Sequence, residues 1–316
     1  SLHDALPIFS THQSLLQKIE LSLFNKLGVE LFIKRDDLID PYVSGNKWRK
    51  LKYIISTVVQ AKKDGVLTFG GAYSNHLLAT AVACQKAGLK SIGIVRGNEL
   101  TAQSNELLQK CEAAGMQLEF VTREEYALRN EKFYKDELVG LYSNFYLLPE
   151  GGAAYLGLIG CQEILAETPN DFDCVFVAQG TTTTSCGIAM SLPEKTTLCV
   201  VPVLKGFDSK AEMAKLFGYS GFSKETIDEL LEKTIVLSDF HFGAYGKYTP
   251  ELLQFMEEIF KETRVPLDPI YTGKAFYAMV KWVLTEGVTN KKILFVHTGG
   301  IEGGRAIAKK ENKVFF

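Results

Sequence analysis

Short apolar runs alternating with segments of helical composition constrain the fold of this chain more than any other feature. The clearest runs are CVFVA at 174–178, TLCVVPV at 197–203 and ILFV at 293–296. A strand that is apolar at every position has both faces buried, which is typical of a parallel sheet covered by helices on both sides. The sequence therefore predicts a doubly wound α/β fold.

The alternation extends over most of the chain. Further strands are predicted at 30–35, 66–68, 91–95 and 117–121. Helices are predicted at 44–62, 74–87, 102–114, 123–138, 184–191, 209–217, 223–232, 250–262 and 273–285. Glycines cluster in PEGGAAYLGLIG, residues 149–160, which marks a possible division between domains.

Composition limits the class of protein. The chain has 316 residues, of which 46% are hydrophobic and 23% charged, as in a globular enzyme of one large or two ordinary domains. Its net charge of −2 gives no electrostatic basis for binding nucleic acid or an anionic membrane. No apolar run approaches the ~20 residues of a membrane helix. The six cysteines contain no CxxC pair and the five histidines show no metal-binding spacing, so we expect a cytoplasmic protein with reduced thiols and no metal.

The N-terminal residues 1–8, SLHDALPI, resemble a translated sequencing adapter rather than native protein, and the sequence has no initiator Met. The fold prediction therefore starts after them. No secretory signal is visible, although a truncated start would hide one.

Two turns lie where parallel sheets bind ligands, between a strand and the next helix. In GGAYSNH, residues 70–76, Ser74 and Asn75 begin a helix whose N–H groups suit a carboxylate, although an ordinary N-cap is the simpler interpretation. In QGTTTTSCG, residues 179–187, a phosphate would find backbone and hydroxyl donors on Thr181, Thr182, Thr183 and Thr184, and we favour this over the alternative of a β-branched turn with ordinary capping. This second turn matches neither the Walker loop nor GxGxxG, so a dinucleotide is not expected.

Two further turns place polar side chains after a strand or at a helix start. Thr298, in HTGGIEGG, would present its hydroxyl at the end of the strand 293–296. Tyr271, in YTGKAF, is either a packed aromatic or a phenol near the chemistry.

The segment YVSGNKWRKLKYI, residues 42–54, contains four cations within the six residues 47–52. SGN at 44–46 predicts a helix start, so Lys47 would lie in the first turn, where the helix dipole disfavours a cation. For Lys47 taken alone, a solvated lysine in a basic helical patch is the simpler interpretation. We expect Arg49, Lys50 and Lys52 to form a solvated basic face of the helix, unless one of them reaches a phosphate. An awkward lysine, a phosphate cradle and a carboxylate cradle in one α/β chain together favour pyridoxal 5′-phosphate acting on an amino acid.

These motifs, in their order along the chain, resemble the 1-aminocyclopropane-1-carboxylate deaminase / D-cysteine desulfhydrase family of pyridoxal-phosphate enzymes. The resemblance starts at about Glu30 and runs through IKRDDL, SGNKWRKLKY, GGAYSNH, PEGGA, the loop 179–187, LDPIYTGKA and HTGG. It implies the type II, tryptophan synthase β-like fold and a possible homodimer. We accordingly expect a large domain from residues 1–50 and 149–316 and a small α/β domain at 51–148.

The resemblance also implies roles for individual residues. Positions that match catalytic residues are Lys47, Ser74, Tyr245 and Tyr271. Positions that match cofactor-binding residues are Lys47, Lys50, Asn75, Thr181, Thr182, Thr183, Thr184 and Thr298. Positions that match substrate-binding residues are Ser74, Asn75, His76 and Tyr271. Within these sets, Lys47 would form the Schiff base and move the Cα proton, and Thr298 would face the pyridine nitrogen.

Two departures from the family pattern bear on the reaction. Thr182 and Thr183 replace glycines of a GSGGT-like loop, and Thr272 stands where the deaminase branch has Glu after the second tyrosine. The deaminase also resembles HLGG where this chain has HTGG. A hydroxyl at the ring nitrogen makes a weaker electron sink than a carboxylate, which suffices when Cβ carries a good leaving group such as thiolate.

We therefore expect β-elimination from D-cysteine to pyruvate, ammonia and sulfide. Deamination of 1-aminocyclopropane-1-carboxylate is the alternative within the class. An alternative of another class is a non-catalytic module that binds pyridoxal phosphate or an amino acid. Retention of Tyr245 and Tyr271 beside Lys47 argues against it, because binding alone needs neither tyrosine.

Overall fold

The structure is a computed structural model that describes residues 13–169, 171–244 and 246–316. Within these ranges the chain forms two compact units. Unit 1 contains Asp40–Val43 and Lys47–Gly160. Unit 2 contains Gln13–Ile39, Ser44–Asn46 and Cys161–Phe316.

The strands of the described chain are β1 (Leu15–Ile19), β2 (Glu30–Arg35), β3 (Gly65–Gly71), β4 (Lys90–Arg96), β5 (Met116–Val121), β6 (Phe145–Leu148), β7 (Cys174–Gln179), β8 (Thr197–Pro202), β9 (Thr234–Val236) and β10 (Lys292–Val296). The helices are α1 (Asn46–Gln60), α2 (Asn75–Lys86), α3 (Glu106–Ala113), α4 (Arg123–Ala127), α5 (Lys132–Leu141), α6 (Tyr155–Ala166), α7 (Thr183–Met190), α8 (Ser209–Tyr219), α9 (Lys224–Glu232), α10 (Pro250–Thr263), α11 (Thr272–Thr285) and α12 (Ile301–Glu311).

Unit 2 is built on a six-stranded sheet with the order β1-β2-β10-β7-β8-β9. Every neighbouring pair is parallel except β1 with β2. The apolar runs that predicted buried strands form β7, β8 and β10, and all six residues of β7 are buried. The prediction of an α/β fold with parallel strands is confirmed.

Helices α10 and α11 supply much of the core of unit 2. The rings of Phe276 in α11 and Phe295 in β10 meet edge to face with centroids 5.0 Å apart, and both are fully buried. Leu252 and Met256 of α10 complete this cluster. Burial of side chains of this size contributes ~1.5–3 kcal/mol each, so the cluster holds α11 firmly against the sheet.

Unit 1 is built on a four-stranded parallel sheet with the order β5-β4-β3-β6. One face of it packs Phe69 of β3 and Ile94 of β4 against Tyr126 and Tyr134. The unit extends beyond the expected range of 51–148 at both ends. One reason is the close packing of Gly160 on α1, where an added Cβ would lie 1.9 Å from the carbonyl oxygen of Arg49.

Two predicted helices of unit 1 are broken by local chemistry. The segment 102–114 is a 3₁₀ turn followed by α3, because Asn105 is extended and its side chain accepts the N–H of Leu108 as an N-cap. The segment 123–138 is divided into α4 and α5 by an extended residue, Glu131.

The basic face of α1 differs from expectation. Arg49 is 0%, Lys50 1% and Lys52 8% exposed, so these side chains are buried rather than solvated. Lys52 Nζ lies 5.4 Å from the ring centroid of Trp48 and 5.1 Å from that of Tyr53, where cation–π attraction offsets part of the desolvation. None of the described helices combines the length and apolar character needed to cross a membrane.

Candidate active site

Lys47 is the second residue of α1 and lies in its first turn, as predicted. The residue before it, Asn46, is bound to two other turns of unit 2. Its backbone N–H donates to the carbonyl of Thr298 at 3.2 Å, and its side-chain amide donates to the hydroxyl of Thr184 at 2.9 Å. Gly45 makes this approach possible, because its φ is +61° and a Cβ there would lie 2.0 Å from the Thr298 oxygen.

Asn46 is therefore a residue of the candidate site that the sequence prediction missed, since the motif SGN was interpreted only as a helix start. The signal was its position directly before Lys47. Its two hydrogen bonds could not be predicted, because they join it to residues more than 130 positions away.

The threonine-rich turn between β7 and α7 offers unused donors. The hydroxyl of Thr183 is buried and has no hydrogen-bond partner among the described residues. The hydroxyl of Thr184 accepts from Asn46, so its own proton is available to another acceptor. The hydroxyl of Ser185, by contrast, donates to the carbonyl of Thr182 and accepts from Gln179. A buried hydroxyl without a partner is costly, and a phosphate oxygen at this helix start would satisfy it.

The ends of α2 and α7 differ from the ends of five other helices. Side chains cap α3, α4, α8, α9 and α10 through Asn105, Thr122, Asp208, Ser223 and Thr249. Ser74 and Thr182 occupy the N-cap positions of α2 and α7, yet neither side chain makes a capping hydrogen bond. The first-turn N–H groups of α2 and α7 therefore receive no hydrogen bond from these two side chains, and a ligand could bind to them.

Tyr271 lies against the threonine-rich turn of its own unit. A Cβ added to Gly180 would come 2.8 Å from Cε1 of the Tyr271 ring, so only glycine leaves room for the phenol there. The structure thus brings Tyr271 to the turn that would hold phosphate. The other predicted tyrosine, Tyr245, lies outside the described residues.

The turn after β10 presents Thr298, which is 7% exposed. Its neighbour His297 fixes the turn: Nε2 lies 2.6 Å from the carbonyl of Pro266, and Nδ1 accepts the N–H of Gly299. The hydroxyl of Thr272 is used within its own turn: it accepts the N–H of Asp268 and donates to the carboxylate of the same residue. Of the two threonines at family positions of interest, only Thr298 keeps its hydroxyl clear of Asp268.

Unit 1 brings Lys50 and His76 together around Gly152. A Cβ on Gly152 would lie 3.3 Å from Cβ and Cδ of Lys50 and 3.8 Å from Cε1 of His76. Nζ of Lys50 donates to the carbonyl of Gly151 at 3.0 Å. The glycines of PEGGA therefore pack against the buried side chains of Lys50 and His76 in this unit.

His76 is a neutral imidazole with a defined tautomer. The hydroxyl of Thr68 donates its proton to the carbonyl of Leu148, so Nε2 of His76 must donate to that hydroxyl. Nδ1 is then an acceptor, buried and without a partner among the described residues. Burial, and then the charges of Lys47 and Lys50, hold the pKa of His76 well below its usual range. Nδ1 of His76 can accept from an N–H donor but cannot donate to a carboxylate. A substrate carboxylate would bind instead to the N–H groups at the start of α2.

The residues present fit pyridoxal 5′-phosphate. Unit 2 supplies the uncapped start of α7, the partnerless hydroxyl of Thr183 and the phenol of Tyr271. The chain itself adds Lys47 directly after Asn46.

Comparisons with known proteins agree with this assignment. The family model described as pyridoxal-phosphate dependent enzyme matches residues 16–299. A putative 1-aminocyclopropane-1-carboxylate deaminase of Pyrococcus horikoshii is 32% identical over 287 residues, covering 89% of this chain and 88% of the relative. A bifunctional D-cysteine desulfhydrase/1-aminocyclopropane-1-carboxylate deaminase, mitochondrial, of Arabidopsis thaliana is 31% identical over 308 residues, covering 87% of this chain and 73% of the relative.

A solved structure of an ACC deaminase homologue superposes with a TM-score of 0.77 at 27% identity, covering 95% of this chain and 93% of the other. The turns that carry Lys47, Thr183 and Thr298 all lie within the span matched by the family model. The chain belongs to the pyridoxal-phosphate dependent enzymes of fold type II, as a lyase of the 1-aminocyclopropane-1-carboxylate deaminase and D-cysteine desulfhydrase family.

Proposed function

We propose that the enzyme is a D-cysteine desulfhydrase, which eliminates the Cβ thiolate of D-cysteine and yields pyruvate, ammonia and sulfide. The observation that carries the proposal is the group at the end of β10, where Thr298 offers a hydroxyl rather than a carboxylate.

The buried carboxylates near that turn have other partners. Asp37 accepts two hydrogen bonds from the guanidinium of Arg35, at 2.9 and 2.7 Å. Asp268 accepts from the N–H groups and the hydroxyl of its own turn. A hydroxyl supports a neutral ring nitrogen, and a neutral ring is a weaker electron sink. That sink is adequate for expelling a thiolate and poorly suited to opening a cyclopropane.

The roles of the residues follow from their chemistry. When bound, pyridoxal 5′-phosphate delocalises the electron pair left at Cα of the substrate. Lys47 would accept the Cα proton, and the N–H groups at Ser74 and Asn75 would bind the substrate carboxylate. The threonines at 181–184 would hold the phosphate, and Tyr271 would act as a phenol close to the reacting atoms. Lys50 stays a predicted phosphate contact, although its Nζ is within hydrogen-bond distance of Gly151.

The competing activity is deamination of 1-aminocyclopropane-1-carboxylate, because several relatives carry that name. The experiment compares purified enzyme on D-cysteine and on 1-aminocyclopropane-1-carboxylate under identical conditions, with sulfide detection for the first substrate and 2-oxo acid detection for both. We expect kcat/KM at least ~10-fold higher for D-cysteine, a difference of ~1.4 kcal/mol in the barrier. Faster opening of the cyclopropane would overturn the proposal and establish the deaminase.

A variant tests the reason for the preference. Thr298→Glu places a carboxylate at the same turn, so cyclopropane opening should rise relative to sulfide release. Thr168→Glu, which introduces the same carboxylate at a partly exposed threonine of the same unit, is the control and should leave the ratio of the two activities unchanged. A homodimer and a cytoplasmic location remain predictions, and light scattering of the purified protein would test the first.

A further inference from the structure

The segment before α11 contains a buried carboxylate whose hydrogen-bonding capacity is fully used. Asp268 is 1% exposed. Its Oδ1 accepts from the N–H groups of Ile270 and Tyr271 at 2.9 and 2.8 Å. Its Oδ2 accepts from the N–H and the hydroxyl of Thr272 at 2.9 and 2.7 Å. Four donors on one carboxylate fix the backbone on both sides of the Tyr271 Cα.

Burying this carboxylate costs desolvation free energy, and the start of a helix does not require a buried carboxylate. Burial raises the pKa of the Asp268 carboxyl, and the donors of Thr272, Tyr271 and Ile270 act against that rise. The N-caps of α8 and α10 are exposed or partly buried, and the side chain of each accepts one hydrogen bond from a first-turn N–H. Asp268 instead holds Tyr271 in a non-helical conformation, with φ −120° and ψ −75°.

The same carboxylate lies close to the turn that carries Thr298. Gly300 has φ +93°, and a Cβ there would lie 2.8 Å from Oδ2 of Asp268. A Cβ on Gly304 would lie 3.2 Å from the Cα and Cβ of Asp268. His297 reaches the carbonyl of Pro266, two residues before Asp268. Asp268 is thus the point where the turn of Thr298 and the turn of Tyr271 meet within unit 2.

We propose that Asp268 is a positioning residue of the reaction, which acts by setting the phenol of Tyr271 against Gly180 and the turn of Thr298, without touching the substrate. The inference rests on the proposed function for its catalytic consequence. Because misplacement of a reacting group by about 1 Å can lower a rate by ~100-fold, disturbing this carboxylate should have a catalytic effect larger than its effect on folding.

The experiment uses Asp268→Asn, Tyr271→Phe and the double variant in the cofactor-loaded enzyme. Asp268→Asn should lower kcat by ~10–100-fold with KM changed by less than about threefold. In the Tyr271→Phe background the same change should cost no more than about threefold, because the two residues act as one unit. Hydrogen exchange of the cofactor-free protein should show lost protection at the amides of Ile270, Tyr271 and Thr272.

Asp208→Asn is the matched control, because Asp208 is an aspartate that caps α8 in the same unit through the N–H of Ala211. Because Asn caps a helix about as well as Asp, it should leave both stability and kcat nearly unchanged. If Asp268→Asn behaves like this control, or if its loss multiplies with that of Tyr271→Phe, the proposal is wrong. Should Asp268→Asn fail to fold, Thr272→Val removes one donor from Oδ2 and is put through the same cycle.

A wild-type enzyme that binds the cofactor but turns over neither amino acid would remove the proposed function alone. The visible circular dichroism of the bound cofactor would then decide the role of Asp268. Asp268→Asn should change that signal in the wild-type background and leave it unchanged in the Tyr271→Phe background; any other pattern contradicts the inference.

Discussion

The side-chain amide of Asn46 donates a hydrogen bond to the hydroxyl of Thr184 over 2.9 Å, across 138 residues of sequence. It ties the residue before Lys47 to the turn that would hold the cofactor phosphate. Because Thr184 is the acceptor, the amide also orients the hydroxyl so that its proton can point to a second acceptor.

Asn46→Ala should weaken cofactor binding by about fivefold, the equivalent of one hydrogen bond of ~1 kcal/mol. Equilibrium dialysis of pyridoxal 5′-phosphate gives the dissociation constant. The control is Asn130→Ala, an exposed asparagine of unit 1, which should leave it unchanged. Equal affinities for both variants would contradict a role for Asn46.

Thr183→Val should separate ligand binding from folding. The buried hydroxyl has no partner within the described part of the chain, so its removal should raise the stability of the cofactor-free protein by ~1 kcal/mol while lowering cofactor affinity by ~10–100-fold. Ser209→Ala is the matched control, because this hydroxyl in α8 is also buried and also lacks a hydrogen-bond partner among the residues that the structure describes. It should raise stability and leave affinity unchanged. Undiminished affinity in Thr183→Val would mean that the turn does not bind phosphate.

Lys47 should carry the cofactor. Purified protein should be yellow, and borohydride reduction followed by peptide mapping should place the reduced cofactor on Lys47. Lys47→Ala should abolish the label, whereas Lys132→Ala, which alters a lysine whose side chain is 88% exposed, should retain it. A label on another lysine would make the central assignment wrong.

His76 should make stability fall in mild acid. The pKa of His76 lies well below 6.5 in the folded protein, so below pH 6.5 the unfolded chain takes up a proton that the folded chain refuses. Wild type should therefore lose free energy of unfolding relative to His76→Gln as the pH falls from 6.5 toward the folded pKa. Urea unfolding from pH 5 to 8 measures this, and the two curves should run parallel above pH 7.5. Parallel curves over the whole range would show a histidine of ordinary pKa.

Lys274 should make stability rise with pH in mild base, which is the same sign of pH dependence as that of His76 in a higher pH window. Nζ donates to the carbonyls of His241 and Ala244, and burial lowers the pKa of this lysine to about 8, against the attraction of Asp268. Between about pH 8 and 10.5, the usual pKa of a lysine, the side chain is largely neutral in the folded protein and still protonated in the unfolded chain. Wild type should thus gain free energy of unfolding relative to Lys274→Met as the pH rises from 8 to 10.5. Tyrosines that titrate above pH 10 are present in both proteins and cancel in the difference, so a flat difference would contradict the low pKa.

Some elements escaped prediction for identifiable reasons. YLGLIGCQEILA, which forms α6, is apolar on nearly every side and shows no amphipathic period. IEGGRAIAKKE, which forms α12, contains two glycines that lower its helix propensity. Both helices form because tertiary packing outweighs these local preferences.

The sequence was sufficient to predict the parallel sheet, because β7, β8 and β10 are apolar at positions on both faces. It also determined the place of Lys47 in the first turn of α1, because SGN is a local signal for a helix start. The apolar runs and the helix start are local patterns, so reading along the chain is sufficient to predict them, although the pairing of the strands is not local.

Three features became visible only in the folded chain: Arg49 and Lys52 are buried, Asn46 donates to Thr184, and the hydroxyl of Thr272 donates to Asp268. The first two depend on groups far apart in sequence. The third is local in sequence, yet the choice among possible partners for one hydroxyl depends on what surrounds it once water is excluded. A linear pattern shows which polar groups must find partners on burial, and the packed fold decides which partners they find.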